Sequence, residues 1–236
     1  MPATAGPGAA GPVVAVPGTL CAPEIFAPLA AALPADLDAV DWMTAPGPWR
    51  IEDVAESVAR RIEDRGEPVT LIGHSTGGCI AARVAAVRPD LVSALLLANT
   101  GAHMRGHGDV DRILATIAAD WGPALHAAVL DRSFATPVPP DLRTRLLAYA
   151  ARVSPAAALE VLTSQRDLDL TPKLDSVTCP AVVLHGRHDR ARSVADAQYL
   201  AERLPNCELT VVETGHTPIW EDVPSTVAAL DRLRTR

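Results

Sequence analysis

The chain has 236 residues, 48 % of them hydrophobic and 21 % charged, with a net charge of −7. That length suffices for one domain with a sizeable buried core, with or without a modest insertion. The acidic balance excludes the basic footprint that nucleic acid or an anionic membrane surface requires, and no uncharged apolar run approaches the ~18 residues of a membrane span.

Residues 1–12 are rich in Ala, Gly and Pro without a basic cluster or long apolar run, so a flexible tail is expected there rather than a secretory signal. Residues 13–16 form a short apolar strand closed by Pro17-Gly18. Helical spacing follows over 27–33 and a strand over 37–42. Ile51, Val54, Val58 and Ile62 recur at helical spacing and mark one apolar face. After Gly66, an apolar strand over 69–72 runs into Gly73-His74-Ser75-Thr76-Gly77-Gly78. A helix over 80–87 and an apolar strand over 91–98 come next.

Alternation then stops. Residues 102–172 read as helices only, over 110–119, over 123–130, from Asp141, and from Pro155 with Ser154 as N-cap. It resumes with a strand over 181–184, a helix over 194–204, a strand over 209–212 and a helix after Pro224. Alternating helices and near-continuous apolar strands predict an α/β fold: a mostly parallel sheet with helices on both faces. The expected organisation is a core from 13–101 and 173–236, with an inserted helical cap at 102–172.

Gly73-x-Ser75-x-Gly77 fits a nucleophile elbow, the sharp strand-to-helix turn that lifts a serine hydroxyl above the carboxyl edge of a sheet. The turn brings the flanking positions together, so both must be small. It also sets the Thr76 N–H at the start of a helix, where negative charge is stabilised. Serine needs a base, usually a histidine oriented by a carboxylate. His216 directly follows the last strand, and Asp189 follows the preceding one, so Ser75, Asp189 and His216 come in the chain order known for such sheets. His74 neighbours Ser75 but should point away from it. Asp167 and Asp169 compete for the acid role from within the helical block.

With these residues in view, the chain resembles an α/β-hydrolase of the esterase, lactonase and perhydrolase type over nearly everything from Val13 onward. The run from Leu174 to Gly186 resembles that family's return from cap to core. Gly215-His216, with Glu221 and Pro224 behind, resembles its base loop. Where the family usually carries His-Gly after the first long strand, this chain has Pro17-Gly18-Thr19-Leu20-Cys21. A second oxyanion N–H is expected there from Thr19 or Leu20.

The resemblance implies acyl transfer on a small-molecule ester or lactone with water as co-substrate. Neither a cofactor nor a metal is expected, the acidic charge speaks against nucleic-acid and membrane partners, and the lack of a signal or membrane span gives a cytoplasmic location by elimination. The fold also hosts lyases, cyclases and carbon–carbon bond hydrolases, and non-catalytic binding proteins are a further class. His103, His107, Asp109 and Asp111 carry metal-ligand residue types, but Gly106 and Gly108 argue against the helix that would align the two histidines. Cys21, Cys79, Cys179 and Cys207 lie in apolar stretches without a C-x-x-C pair, as expected of buried thiols in a reducing compartment. Trp220, close in sequence to His216, is placed either against the pocket or in the core.

Overall fold

The computed structural model describes residues 11–106 and 108–234; the stretch 1–10, where a flexible tail is expected, lies outside them. The chain opens with strand β1 (Val13–Val16), a 3₁₀ turn (Pro23–Phe26), helix α1 (Ala27–Ala32) and strand β2 (Leu37–Ala39). Helix α2 (Ile51–Glu63), strand β3 (Val69–His74), helix α3 (Thr76–Val87) and strand β4 (Val92–Ala98) follow. Four helices come next: α4 (Val110–Ala119), α5 (Pro123–Arg132), α6 (Pro140–Ala150) and α7 (Pro155–Asp167). Strand β5 (Ala181–Gly186), helix α8 (Val194–Ala201), strand β6 (Cys207–Val212) and helices α9 (Pro218–Glu221) and α10 (Val223–Arg234) complete the chain.

The strands form one six-stranded sheet in the order β2-β1-β3-β4-β5-β6, and every neighbouring pair is parallel. Strands β1, β3 and β5 are buried along their whole lengths, which is why their sequences read as unbroken apolar runs rather than alternating ones. Right-handed crossovers put α2, α3 and α8 on one face and α1 on the other, where the C-terminal α10 joins it. Accordingly α2 packs on α3 and α1 on α10. Strand order reverses between β1 and β3, and ligands of open α/β sheets bind at that point, outside the carboxyl ends of the strands.

Some boundaries differ from expectation for local reasons. Strand β2 ends at Ala39, although Val40 still donates to Ala15 O at 2.8 Å. Helix α3 begins at Thr76 rather than residue 80. The two glycines are poor helix formers, but α3 is wedged against the sheet and tertiary packing overrides propensity. Helix α8 stops at Ala201 instead of 204, β6 starts two residues early at Cys207, and the short helix α9 has no counterpart in the sequence reading.

The helical segment after β4 closes on itself. His103 and Asp169 pair as an isolated antiparallel bridge, and Leu170 N donates to Ala102 O at 2.9 Å. The two ends of this helical segment thus lie side by side just beyond the carboxyl end of β4. The segment is tied down by α7: Ser164 Oγ accepts from Ile51 N at 3.0 Å, and Glu160 accepts from Trp49 N at 3.1 Å. Those two acceptors satisfy donors at the otherwise uncapped start of α2.

All four cysteines are free, and only Cys79 is fully buried; Cys21, Cys179 and Cys207 are half-buried, less covered than expected. Among the described residues no single helix is long and apolar enough to cross a membrane.

Candidate active site

Ser75 lies between β3 and α3 with φ 55° and ψ −123°. A non-glycine residue there stores roughly 1–3 kcal/mol of backbone strain. The flanking glycines explain how the turn closes. A Cβ on Gly73 would stand 2.5 Å from Gly77 O, and one on Gly77 would overlap the Val16 carbonyl oxygen. Only glycine lets α3 approach β1 and β3 this closely.

The structure brings Ser75, Asp189 and His216 into one hydrogen-bonded chain. His216 Nε2 lies 2.9 Å from Ser75 Oγ, and His216 Nδ1 lies 2.7 Å from Asp189 Oδ2. A carboxylate only accepts, so Nδ1 carries the proton and Nε2 is left to accept from the Ser75 hydroxyl. Burial alone would raise the Asp189 pKa. The hydrogen bond and charge of His216, with bonds from Asn99 and Ala191, outweigh it and hold the carboxyl well below the usual carboxylate range. Its other oxygen, Oδ1, accepts from Ala191 N at 2.6 Å and Arg192 N at 3.0 Å.

Opposite the serine, the β1 turn adjoins the elbow. A Cβ on Gly18 would stand 3.2 Å from Ser75 Oγ. Thr19 Oγ1 lies 2.9 Å from Thr76 Oγ1, which in turn donates to Gln165 Oε1 of α7 at 3.0 Å. Because the Thr76 proton is committed to Gln165, Thr19 is the donor in the first of these bonds. Leu20, on the same turn, has φ 59°. From the other side, Trp42 Nε1 donates to Pro17 O at 2.9 Å. Both expected oxyanion segments, Thr76 at the first position of α3 and the Thr19–Leu20 turn, are therefore fixed relative to each other. The Thr76 N–H belongs to the first helical turn, whose donors lack intrahelical acceptors.

Three further residues support this chain, and of these only Asn99 is absent from the sequence reading. Asn99 Nδ2 donates to Asp189 Oδ2 at 2.6 Å and to Gly215 O at 3.2 Å, while its Oδ1 accepts from Gly186 N at 3.2 Å. The signal was available, since a polar residue directly after the apolar β4 run sits at the same sheet edge as Asp189 and His216. Glu221 accepts from Gly215 N at 3.0 Å in the His216 loop and from Ala135 N at 2.7 Å, just after α5. Burial raises its pKa against the pull of those bonds. His74 points away from Ser75, as its place in the turn requires, and supports His216 instead: its Nε2 donates to His216 O at 2.8 Å.

The competing acids lie elsewhere. Asp167 pairs with Arg166 at the surface, and Asp169 pairs with Arg105 and accepts from Thr171 N. Of the residues with metal-ligand character, Asp109 N-caps α4 by accepting from Arg112 N, Asp111 pairs with Arg166, and the His103 ring rests edge-on against Tyr199. His107 lies outside the described residues. Trp220 is half-buried against the core.

His74 gives the site a stability signature. Burial first, and the neighbouring His216 second, lower its pKa from the ordinary 6.5 to about 3. Between those values the unfolded chain binds a proton that the folded chain refuses. The stability due to His74 is thus complete above pH 6.5 and declines as pH falls from 6.5 toward 3. His74→Gln keeps an N–H donor for His216 O but cannot titrate. Urea midpoints measured from pH 7 to pH 4 should show the wild type losing about 1.4 kcal/mol more per pH unit than the variant across that window. Parallel curves would refute the assignment.

The profile of the alpha/beta hydrolase family matches residues 13–230, and the chain belongs to that family. Among curated relatives it is 25 % identical over 178 residues to the 3-oxoadipate enol-lactonase 2 of Acinetobacter baylyi, covering 73 % of this chain and 66 % of that one. It is 28 % identical over 182 residues to a pimeloyl-[acyl-carrier protein] methyl ester esterase of Neisseria meningitidis, covering 72 % of this chain and 57 % of that one. The match thus spans less than two thirds of either relative's length. An esterase from Exiguobacterium antarcticum superposes with a TM-score of 0.86 at 21 % identity, covering 96 % of this chain and 93 % of the other.

Proposed function

We propose that this protein is a serine hydrolase that cleaves a small carboxylic ester or lactone through an acyl-enzyme. The observation that carries the proposal is the unbroken chain from Ser75 Oγ through His216 to Asp189, at 2.9 Å and 2.7 Å. The activities named for the two curated relatives, enol-lactone and methyl ester cleavage, support the same bond type.

In the first half-reaction His216 Nε2 takes the Ser75 proton as Oγ attacks the ester carbonyl carbon. The tetrahedral oxyanion is held by the Thr76 N–H and a second N–H from Thr19 or Leu20. Asp189 keeps the imidazole in the right tautomer and stabilises its cation. As the carbonyl re-forms, the carbon–oxygen bond to the alcohol breaks and His216 returns the proton to the leaving alkoxide. In the second half-reaction His216 deprotonates a water that attacks the acyl-enzyme, which releases the acid and restores the Ser75 hydroxyl. Residues 102–172 act as a cap over this site, with Gln165 on α7 holding Thr76 and Thr19 in register.

A fluorophosphonate probe should label the wild-type protein at Ser75 alone and leave Ser75→Ala unlabelled, with short-chain ester and lactone turnover lost in the same variant. Full turnover in Ser75→Ala would overturn the proposal. A reactive Ser75 without turnover across a broad panel would transfer the triad to lyase or carbon–carbon chemistry.

A further inference from the structure

Beside the Thr19–Leu20 turn lies a cavity of about 30 Å³ between the core and helices α5 and α6. Its wall is mainly apolar, with Leu20, Ile25, Leu130, Phe134 and Leu146 beside the hydroxyl residues Thr19 and Ser133, and no charged side chain among the described residues lines it. His126, from α5, also lines it. This histidine is 5 % exposed, and its Nε2 is buried without a hydrogen-bond partner. Its ring is braced edge-on by Trp121, with centroids 4.8 Å apart. Burial lowers its pKa, so the imidazole is neutral near pH 7.

A buried polar atom left unpaired costs about 1–3 kcal/mol, and native folds seldom keep one without a reason. Among the described residues none pairs with His126 Nε2, and a ligand in the cavity that His126 lines could supply the missing partner. The volume matters too: 30 Å³ admits roughly two non-hydrogen atoms when about 10–15 Å³ is needed for one water. A neutral imidazole nitrogen is a donor or an acceptor according to tautomer, and a hydroxyl can satisfy either. An anion would enter an uncharged, mainly apolar pocket without a cation to meet it.

We propose that His126 is the polar anchor of a specificity subsite that takes a short, uncharged, hydroxyl-bearing substituent of the substrate. The inference rests on the hydrolase reading above and narrows its substrate class. Plain hydrocarbon substituents of the same length leave Nε2 unpaired and bind less well, and carboxylate-bearing ones are rejected.

The test compares kcat/KM for matched pairs: ethyl 3-hydroxybutanoate against ethyl butanoate on the acyl side, and 2-hydroxyethyl acetate against propyl acetate on the alcohol side. The wild type should favour the hydroxyl-bearing member of one pair by about tenfold or more. In His126→Leu that ratio should fall to near one, and in His126→Gln, which restores a donor, it should partly recover. No preference in either pair, a ratio retained in His126→Leu, or both members falling together would overturn the subsite.

If the wild type turns over no ester, the hydrolase reading fails, and the subsite is read without turnover. The His126 imidazole resonances of Ser75→Ala protein are then followed by NMR while each ester is titrated. A shift with the hydroxyl-bearing member alone supports the subsite, and equal or absent shifts refute it.

Discussion

Asp189→Asn is expected to lower kcat for ester hydrolysis by about 10⁴-fold, against about 10⁶-fold for Ser75→Ala. The reason lies in which oxygen can become nitrogen. Oδ1 accepts from Ala191 N and Arg192 N, so it must stay an oxygen. The new amide nitrogen therefore takes the place of Oδ2, which now accepts from His216 Nδ1 and from Asn99 Nδ2. A donor would face two donors. The cheapest relief is for His216 to move its proton to Nε2 and accept at Nδ1. That tautomer cannot take the Ser75 proton across the 2.9 Å contact, and the general base is gone although every heavy atom is near its place. Steady-state kinetics give the rate loss, and ¹⁵N NMR of the imidazole should find the proton on Nε2. A variant within tenfold of wild type would refute the role given to Asp189.

Much of this site can be read in the sequence, and the rest is hidden mainly because it depends on contacts between distant segments. Strands β1, β3 and β5 are buried throughout and announce themselves as continuous apolar runs. Ser75, Asp189 and His216 can then be found as polar residues at the carboxyl ends of β3, β5 and β6. Asn99 obeys the same rule after β4. By contrast, edge strand β6 is half-exposed along most of its length, so Glu208 interrupts its pattern and its first residues read as loop. The bonds that brace the site have no local pattern. Thr19 meets Thr76 across 57 residues of sequence, His74 meets His216 O across 142, and Thr76 meets Gln165 across 89. Each partner is an ordinary polar residue in its own neighbourhood. Only the crossover of the chain at the sheet edge, with α7 folded back against it, makes them pairs. Local propensity could mislead as well, since Gly77 and Gly78 argue against the helix that packing imposes on them.

Gly77→Ala should destabilise the fold by about 3 kcal/mol and slow fluorophosphonate labelling of Ser75 well beyond the loss of folded protein. The added methyl would overlap Val16 O and stand 2.6 Å from Pro17 O. Neither oxygen can yield cheaply. Val16 is held in register with Gly73 of β3, and the Pro17 carbonyl accepts the Trp42 indole N–H. Relief has to come from moving α3 away from β1. That motion separates Thr76 from Thr19, breaks their 2.9 Å hydroxyl contact, and pulls the two oxyanion segments apart while the Ser75–His216–Asp189 chain, on β3, β5 and β6, is less disturbed. Stability and reactivity should therefore fall unequally. Urea unfolding gives the first and the labelling rate, corrected for folded fraction, gives the second. A Gly77→Ala protein within about 0.5 kcal/mol of wild type, labelled at the wild-type rate, would show that the β1–α3 approach is not what shapes the elbow.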